Sequence, residues 1–133
     1  MNNLNGLSML VFNILVFSLL PSVNVKCQCY EAVMDTRNIY VLYEDGDVYT
    51  LKYFLNFHGQ YTLFEYHFRL SKDDAEIQLT ETVMTITRQG KNFQIRSKSG
   101  NAELIVKLGR KNCKRLKVNK IPEKNISKWI PPG

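Results

Sequence analysis

Histidine is nearly absent from this 133-residue chain, and tryptophan is rarer still: two histidines and one tryptophan. His58 and His67 are separated by a run of β-prone residues, and neither has a nucleophile or a second histidine at a spacing that makes a catalytic or metal-binding motif. No Gly-x-Ser-x-Gly elbow, His-Glu-x-x-His pair or Gly-rich phosphate loop occurs. Those absences remove the commonest hydrolase, metalloprotease and nucleotide-binding readings. Internal repeats and low-complexity tracts are also missing. Past residue 20 there is no second long apolar run, so nothing later in the chain is suited to spanning a bilayer as a helix. Helical periodicity is scarce: one helical turn over Glu31 to Asp35 is the most the pattern supports.

What is present begins with an apolar stretch from Leu7 to Leu20, broken only by Ser8, Asn13 and Ser18 and ended by Pro21-Ser22. That is the shape of a secretory signal peptide. Val25-Lys26-Cys27 fits a cleavage site, which predicts a signal peptide over 1–27, a mature chain starting at Gln28 and an extracellular location. A cut after Ser22 is the rival. There are three cysteines, Cys27, Cys29 and Cys113. Removal of Cys27 leaves Cys29 and Cys113 as an even pair, the expected disulfide of an oxidising compartment. The rival cut leaves one cysteine unpaired. After cleavage no membrane span is expected.

From Asn38 onward the chain alternates. Tyr49, Leu51, Tyr53, Leu55 and Phe57 share one strand face, and Thr62, Phe64, Tyr66, Phe68 and Leu70 share a face of the next, with a tight connection at His58-Gly59-Gln60. Phe54 and Tyr61 fall on the opposite faces, as an exposed patch or a second packed surface. Asp45-Gly46, Gln89-Gly90-Lys91-Asn92 and Ser99-Gly100-Asn101 read as turns. The phase slips near Glu81-Thr82, as a bulge or a short turn does. Leu116 and Val118 read as a last short strand. The expectation is a single all-β domain over 28–120, an antiparallel sandwich or small up-and-down barrel of seven to eight strands. Residues 121–133, with Ile121-Pro122 and Pro131-Pro132, are expected to be an irregular basic tail.

Charge is unevenly placed. Net charge is +6, yet residues 28–106 hold eight basic and eleven acidic side chains, whereas 107–128 hold nine basic and one acidic, Glu123. The densest part is Arg110, Lys111, Lys114, Arg115 and Lys117. Outside a cell the common polyanions are sulfated glycosaminoglycans, and a cationic run of this density is the expected glycan-binding site. The plainer alternative is a solvated edge whose lysines block strand pairing. A nucleic-acid partner is not expected. The acidic groups Glu44-Asp45-x-Asp47 and Asp73-Asp74-x-Glu76 sit at predicted turns, where they solubilise hairpin ends. No metal site and no cofactor is expected. Asn125-Ile126-Ser127 is an N-glycosylation sequon, with Asn125 the acceptor.

Two families share features with the chain. Cys27-Gln28-Cys29 looks like the Cys-x-Cys start of tissue inhibitors of metalloproteinases, whose inhibitory group is the amino terminus of that first cysteine. The resemblance implies a cut after Lys26 and a netrin-like barrel with six cysteines, where this chain has three. Lipocalins are similar in being secreted antiparallel barrels that carry apolar ligands, but their Gly-x-Trp start is missing, and about 105 mature residues is short for eight long strands. Neither resemblance transfers a residue. The functional expectation is a secreted, non-enzymatic binder of an extracellular protein. A carrier of a small apolar ligand and a netrin-like protease inhibitor are the alternatives.

Overall fold

The computed structural model describes residues 27–132; the predicted leader and its cleavage site lie outside them, except for Cys27. Among the described residues nine strands form one mixed sheet: β1 (Gln28–Val33), β2 (Ile39–Asp45), β3 (Val48–Phe57), β4 (Gln60–Phe68), β5 (Asp74–Gln78), β6 (Val83–Gln89), β7 (Asn92–Ser99), β8 (Ala102–Lys111) and β9 (Ile126–Lys128). Their order across the sheet is β9-β4-β3-β2-β1-β8-β7-β6-β5. All neighbours are antiparallel except β9, which runs parallel to β4. Among the described residues no helix is long and apolar enough to cross a membrane.

The sheet curls until its inner face meets itself. Tyr49 of β3 and Phe93 of β7 are four strands apart, roughly 19 Å in a flat sheet, yet their ring centroids lie 5.8 Å apart. Tyr30 bridges the gap edge-on, 4.7 Å from Phe93. The curl stops short of closure, leaving a half-barrel. β4 and β5 are consecutive in sequence but no ladder joins them, so an open seam runs between them. The chain is therefore all-β as expected, but it is neither a sandwich nor a closed barrel of seven or eight strands.

Alternation fixes which side chains face inward. Tyr30, Leu42, Leu51, Ile86, Phe93, Ile95 and Leu108 are fully buried inside the curl, with Tyr40, Tyr49, Met84 and Val106. Each large side chain withdrawn from water contributes about 1.5–3 kcal/mol. The inner face of β3 outruns this core, which leaves Phe57 74 % exposed at the hairpin tip. There His58 and Gly59 both hold positive φ, 53° and 84°, the two-residue hairpin turn whose twist matches the strands. The phase slip is a turn: Leu79 N–H donates to the Thr82 carbonyl at 2.8 Å.

The outer face differs between the two halves. Over β6–β8 it carries Thr85, Thr87, Gln94, Arg96 and Lys107 and faces water. Over β1–β4 it carries Cys29, Ile39, Val41 and Phe54, all buried, with Tyr43, Tyr61 and Leu63 partly so. The chain past β8 covers this apolar half. Leu116 and Val118 plug into it at 1 % and 7 % exposure, but from two short 3-10 turns, Cys113–Arg115 and Lys117–Lys120, rather than from the expected strand. The segment read as an irregular tail continues through a 3-10 turn at Glu123–Asn125 into β9. The expected helical turn at Glu31 is part of β1, where Glu31 faces this outer layer.

Candidate functional site

The outer layer is fastened at four points. Cys29 and Cys113 are bridged, with Cα atoms 5.3 Å apart. Asn112 caps the first 3-10 turn, its Oδ1 accepting from the Lys114 amide at 2.9 Å. The Glu31 carboxylate, 1 % exposed, holds the second turn. Its Oε2 accepts from the Lys117 and Val118 amides at 2.7 and 3.3 Å. Finally, β9 pairs with Tyr61–Leu63, the Trp129 amide donates to the Leu63 carbonyl at 2.9 Å, and the Trp129 ring packs against Phe64.

This scaffold sorts the five basic residues. Lys114, Arg115 and Lys117 are exposed on the outer layer. Lys111 lies on the same side, opposite Cys29 in register, with its ammonium 3.8 Å from Glu31 Oε1. Arg110 does not join them. It stands opposite Tyr30 in register and so shares the inner face, at the rim of the curl. Lys120 and Lys124, outside the expected five, are exposed on the outer layer too. Asn125 is half-buried at the end of its 3-10 turn, with Ser127 exposed in β9.

The second polar centre, which the sequence did not indicate, sits at the inner rim. Glu44 of β2 accepts from the Tyr30 hydroxyl at 2.8 Å, the Tyr49 hydroxyl at 3.0 Å and Arg88 Nη2 at 3.0 Å. Arg88 of β6 also donates to the Tyr49 hydroxyl at 2.6 Å and lies over the Phe93 ring. The cluster ties the two halves of the curl together. Burial pushes the Glu44 carboxyl up, but hydrogen bonds from Tyr30, Arg88 and Tyr49 outweigh it and hold the group below its ordinary value of 4.5. A carboxyl with a depressed folded pKa stabilises the fold above its unfolded pKa. That stabilisation is lost as pH falls through the folded value. Melting temperature should therefore drop from about pH 5 downward in the wild type. In Glu44→Gln it should start lower at neutral pH and fall less steeply. Parallel pH profiles for the two proteins, followed by circular dichroism, would show that Glu44 carries no such linkage.

A third arrangement has the elements of a nucleophile–base–acid line. Thr50 Oγ1 is 3.0 Å from His67 Nδ1, and His67 Nε2 is 2.8 Å from Glu65 Oε2. It arises from strand register, since Thr50 pairs directly with His67. Burial raises the Glu65 pKa, but Lys128 and Lys52 outweigh it and leave the group lowered. The line lies on an open strand face with His67 exposed. β3 has partners on both sides, so the amides flanking Thr50 are committed to ladders rather than to an oxyanion. Close by, the Cys27, Cys29 and Cys113 sulfurs lie within 4.8 Å of one another. With two of them bridged, only the exposed Cys27 keeps a thiol, and burial followed by the charges of Asp45 and Glu44 pushes its pKa up, against reactivity. Reduced, the three would offer a soft thiolate set.

Lys117 and Lys120 of the outer layer frame a groove of about 290 Å³ with the β1–β2 turn. Its lining residues are Val33, Arg37, Ile39, Tyr61, Lys117, Lys120 and Ile121. The chain matches no protein-family model, no curated protein and no solved structure, so its functional reading rests on these sites and their chemistry.

Proposed function

We propose that this is a secreted, non-enzymatic binding protein. It acts on an extracellular protein partner and docks anionic glycans through its basic C-terminal layer. One observation carries the reading: the cationic segment is clamped onto the sheet with Lys114, Arg115, Lys117 and Lys120 turned to solvent. Fixed cations bind a polyanion without the ordering cost that a loose tail incurs. The disulfide is compatible with an oxidising compartment. The carrier alternative has less support, because Tyr30, Phe93, Leu51 and Ile95 occupy the inside of the curl.

Heparin chromatography tests the glycan half. The wild type should elute well above physiological salt. Neutralising Lys111, Lys114, Arg115 and Lys117 together should bring elution down sharply and flatten the log–log salt dependence by about one unit per lost contact. Arg110→Gln alone should change little, because Arg110 lies on the other face. Equal elution of wild type and quadruple variant would reduce the segment to ordinary solvated surface.

A further inference from the structure

The groove beside Lys117 is more specific than a cationic strip. One wall is the turn between β1 and β2. Met34 N–H donates to the Asn38 carbonyl and Arg37 N–H to the Met34 carbonyl, both at 2.8 Å. Asn38 straps this turn to β3: its Oδ1 accepts from the Asn56 amide at 2.8 Å and its Nδ2 donates to the Tyr53 hydroxyl at 3.0 Å. Asn56 Nδ2 returns a bond to the Thr36 carbonyl at 3.1 Å. Arg37 is thereby held at φ 69°, a left-handed conformation that a residue with a Cβ adopts only when its surroundings impose it.

The other wall is the second 3-10 turn. A 3-10 helix repeats every three residues, so Lys117 and Lys120 fall on the same side of it. Between the walls the floor is apolar: Val33, Ile39, Tyr61 and Ile121. No carboxylate lines the groove. Among the described residues, none of the ion pairs involves Arg37, Lys117 or Lys120. Glu31 lies behind the wall, bonded to the Lys117 and Val118 amides, and Asp35 of the β1–β2 turn is exposed but does not line the groove. Three cations around an apolar floor call for an anion with an apolar body.

A sulfated sugar satisfies only half of that demand, because its ring is hydroxylated and leaves the floor without a partner. An aromatic ring bearing a compact anion satisfies both. At about 290 Å³ the groove is at the small end of ligand pockets, with room for one ring and its anion. We propose that this groove binds the sulfated tyrosine side chain of an extracellular partner. The ring lies on Ile39, Tyr61 and Ile121, and the sulfate meets the Arg37 guanidinium, which matches paired oxygens, with Lys117 and Lys120 completing the charge. This rests on and deepens the protein-binding half of the proposed function, and of the residues neutralised in the heparin test it shares only Lys117.

The test uses short peptides of one sequence carrying tyrosine, sulfotyrosine or phosphotyrosine, titrated into isotope-labelled protein. The sulfated peptide should shift the amide resonances of Val33, Ile39, Tyr61 and Ile121, and bind at least about tenfold more tightly than the unmodified one. Arg37→Asn, which tolerates positive φ, and Lys120→Gln should each weaken it about tenfold, the worth of one charge-assisted hydrogen bond. Lys114→Gln should leave it unchanged. Equal affinity for the unmodified peptide, binding of the phosphorylated peptide alone, or shifts mapping elsewhere would overturn the assignment. Heparin chromatography of the wild type separates the two ideas: a wild type that elutes at low salt yet binds the sulfopeptide removes the glycan docking and leaves the groove standing.

Discussion

Replacing Cys29 and Cys113 with serine will lower the unfolding free energy by about 4 kcal/mol, the largest single effect expected in this protein. The bridged residues are 84 apart in sequence. Removing the link frees nearly the whole domain in the unfolded state, and the loop-entropy argument gives roughly that magnitude. A second term adds to it. Cys29 is buried among Ile39, Val41, Phe54 and Leu116, and a serine hydroxyl there is left without a partner. Small domains have about 5–15 kcal/mol in all, so the variant should be marginal at body temperature. The comparison belongs in a Cys27→Ser background, because the Cys27 sulfur stands close enough to the pair to exchange with it. Urea unfolding of the two proteins measures the difference. A loss below about 1 kcal/mol would mean that the bridge is strained or the reduced chain already compact.

The Glu31→Ala substitution should cost about 3 kcal/mol and should act locally. The carboxylate is buried and anchors two amides of the Lys117–Lys120 turn. Hydrogen bonds to a charged acceptor contribute about 1.5–3 kcal/mol each, and the amides left behind are desolvated against the sheet. Lys111 also loses its partner. Glu31→Gln keeps an acceptor and should cost less than half as much. Hydrogen exchange gives the decisive reading: the Lys117 and Val118 amides should lose protection in the alanine variant while the β6–β7 ladder keeps its own. Uniform loss across the sheet would mean that the outer layer has no separate stability. Unchanged protection at those two amides would refute the role given to Glu31.

The parts of the fold legible in the sequence are those governed by period two. Tyr49 through Phe57 and Thr62 through Leu70 assign their own faces, and the pattern puts Phe54 and Tyr61 on the opposite ones, where of the two alternatives it leaves open the structure has the packed surface. β1 escaped notice because both its faces are covered. Tyr30 packs inside and Glu31 is buried outside, so its residues do not alternate and the acid looks like a helical turn. The outer layer escaped for a different reason. Leu116 and Val118 are two apart, which over three residues does not separate a strand from a 3-10 turn. The density of lysine then drew attention to the solvent side. The signal was there in Leu116, Val118, Ile121 and Ile126: apolar residues at intervals within a basic run need somewhere to be buried. The groove was out of reach, since Arg37 and Lys117 are brought together only where the chain past β8 folds back over the outer face of β1–β4. Charge density alone points to the five basic residues and does not see that Arg110 and Lys111 point to opposite faces.

The half-barrel has two free margins, and they are protected differently. β5 is five residues long and carries Asp74 and Glu76, a short charged edge that repels another strand. β4 is long and aromatic, the kind of edge that recruits neighbouring chains, and it is shielded by three residues of β9 laid parallel along it. Those three residues end in Lys128, paired to Glu65 at 3.4 Å. Solubility on that side of the molecule therefore depends on the same stretch of chain that displays the cations. A sequence change that loosens the layer would expose an adhesive strand at the moment it scatters the charges, so evolution has little freedom to retune one without the other.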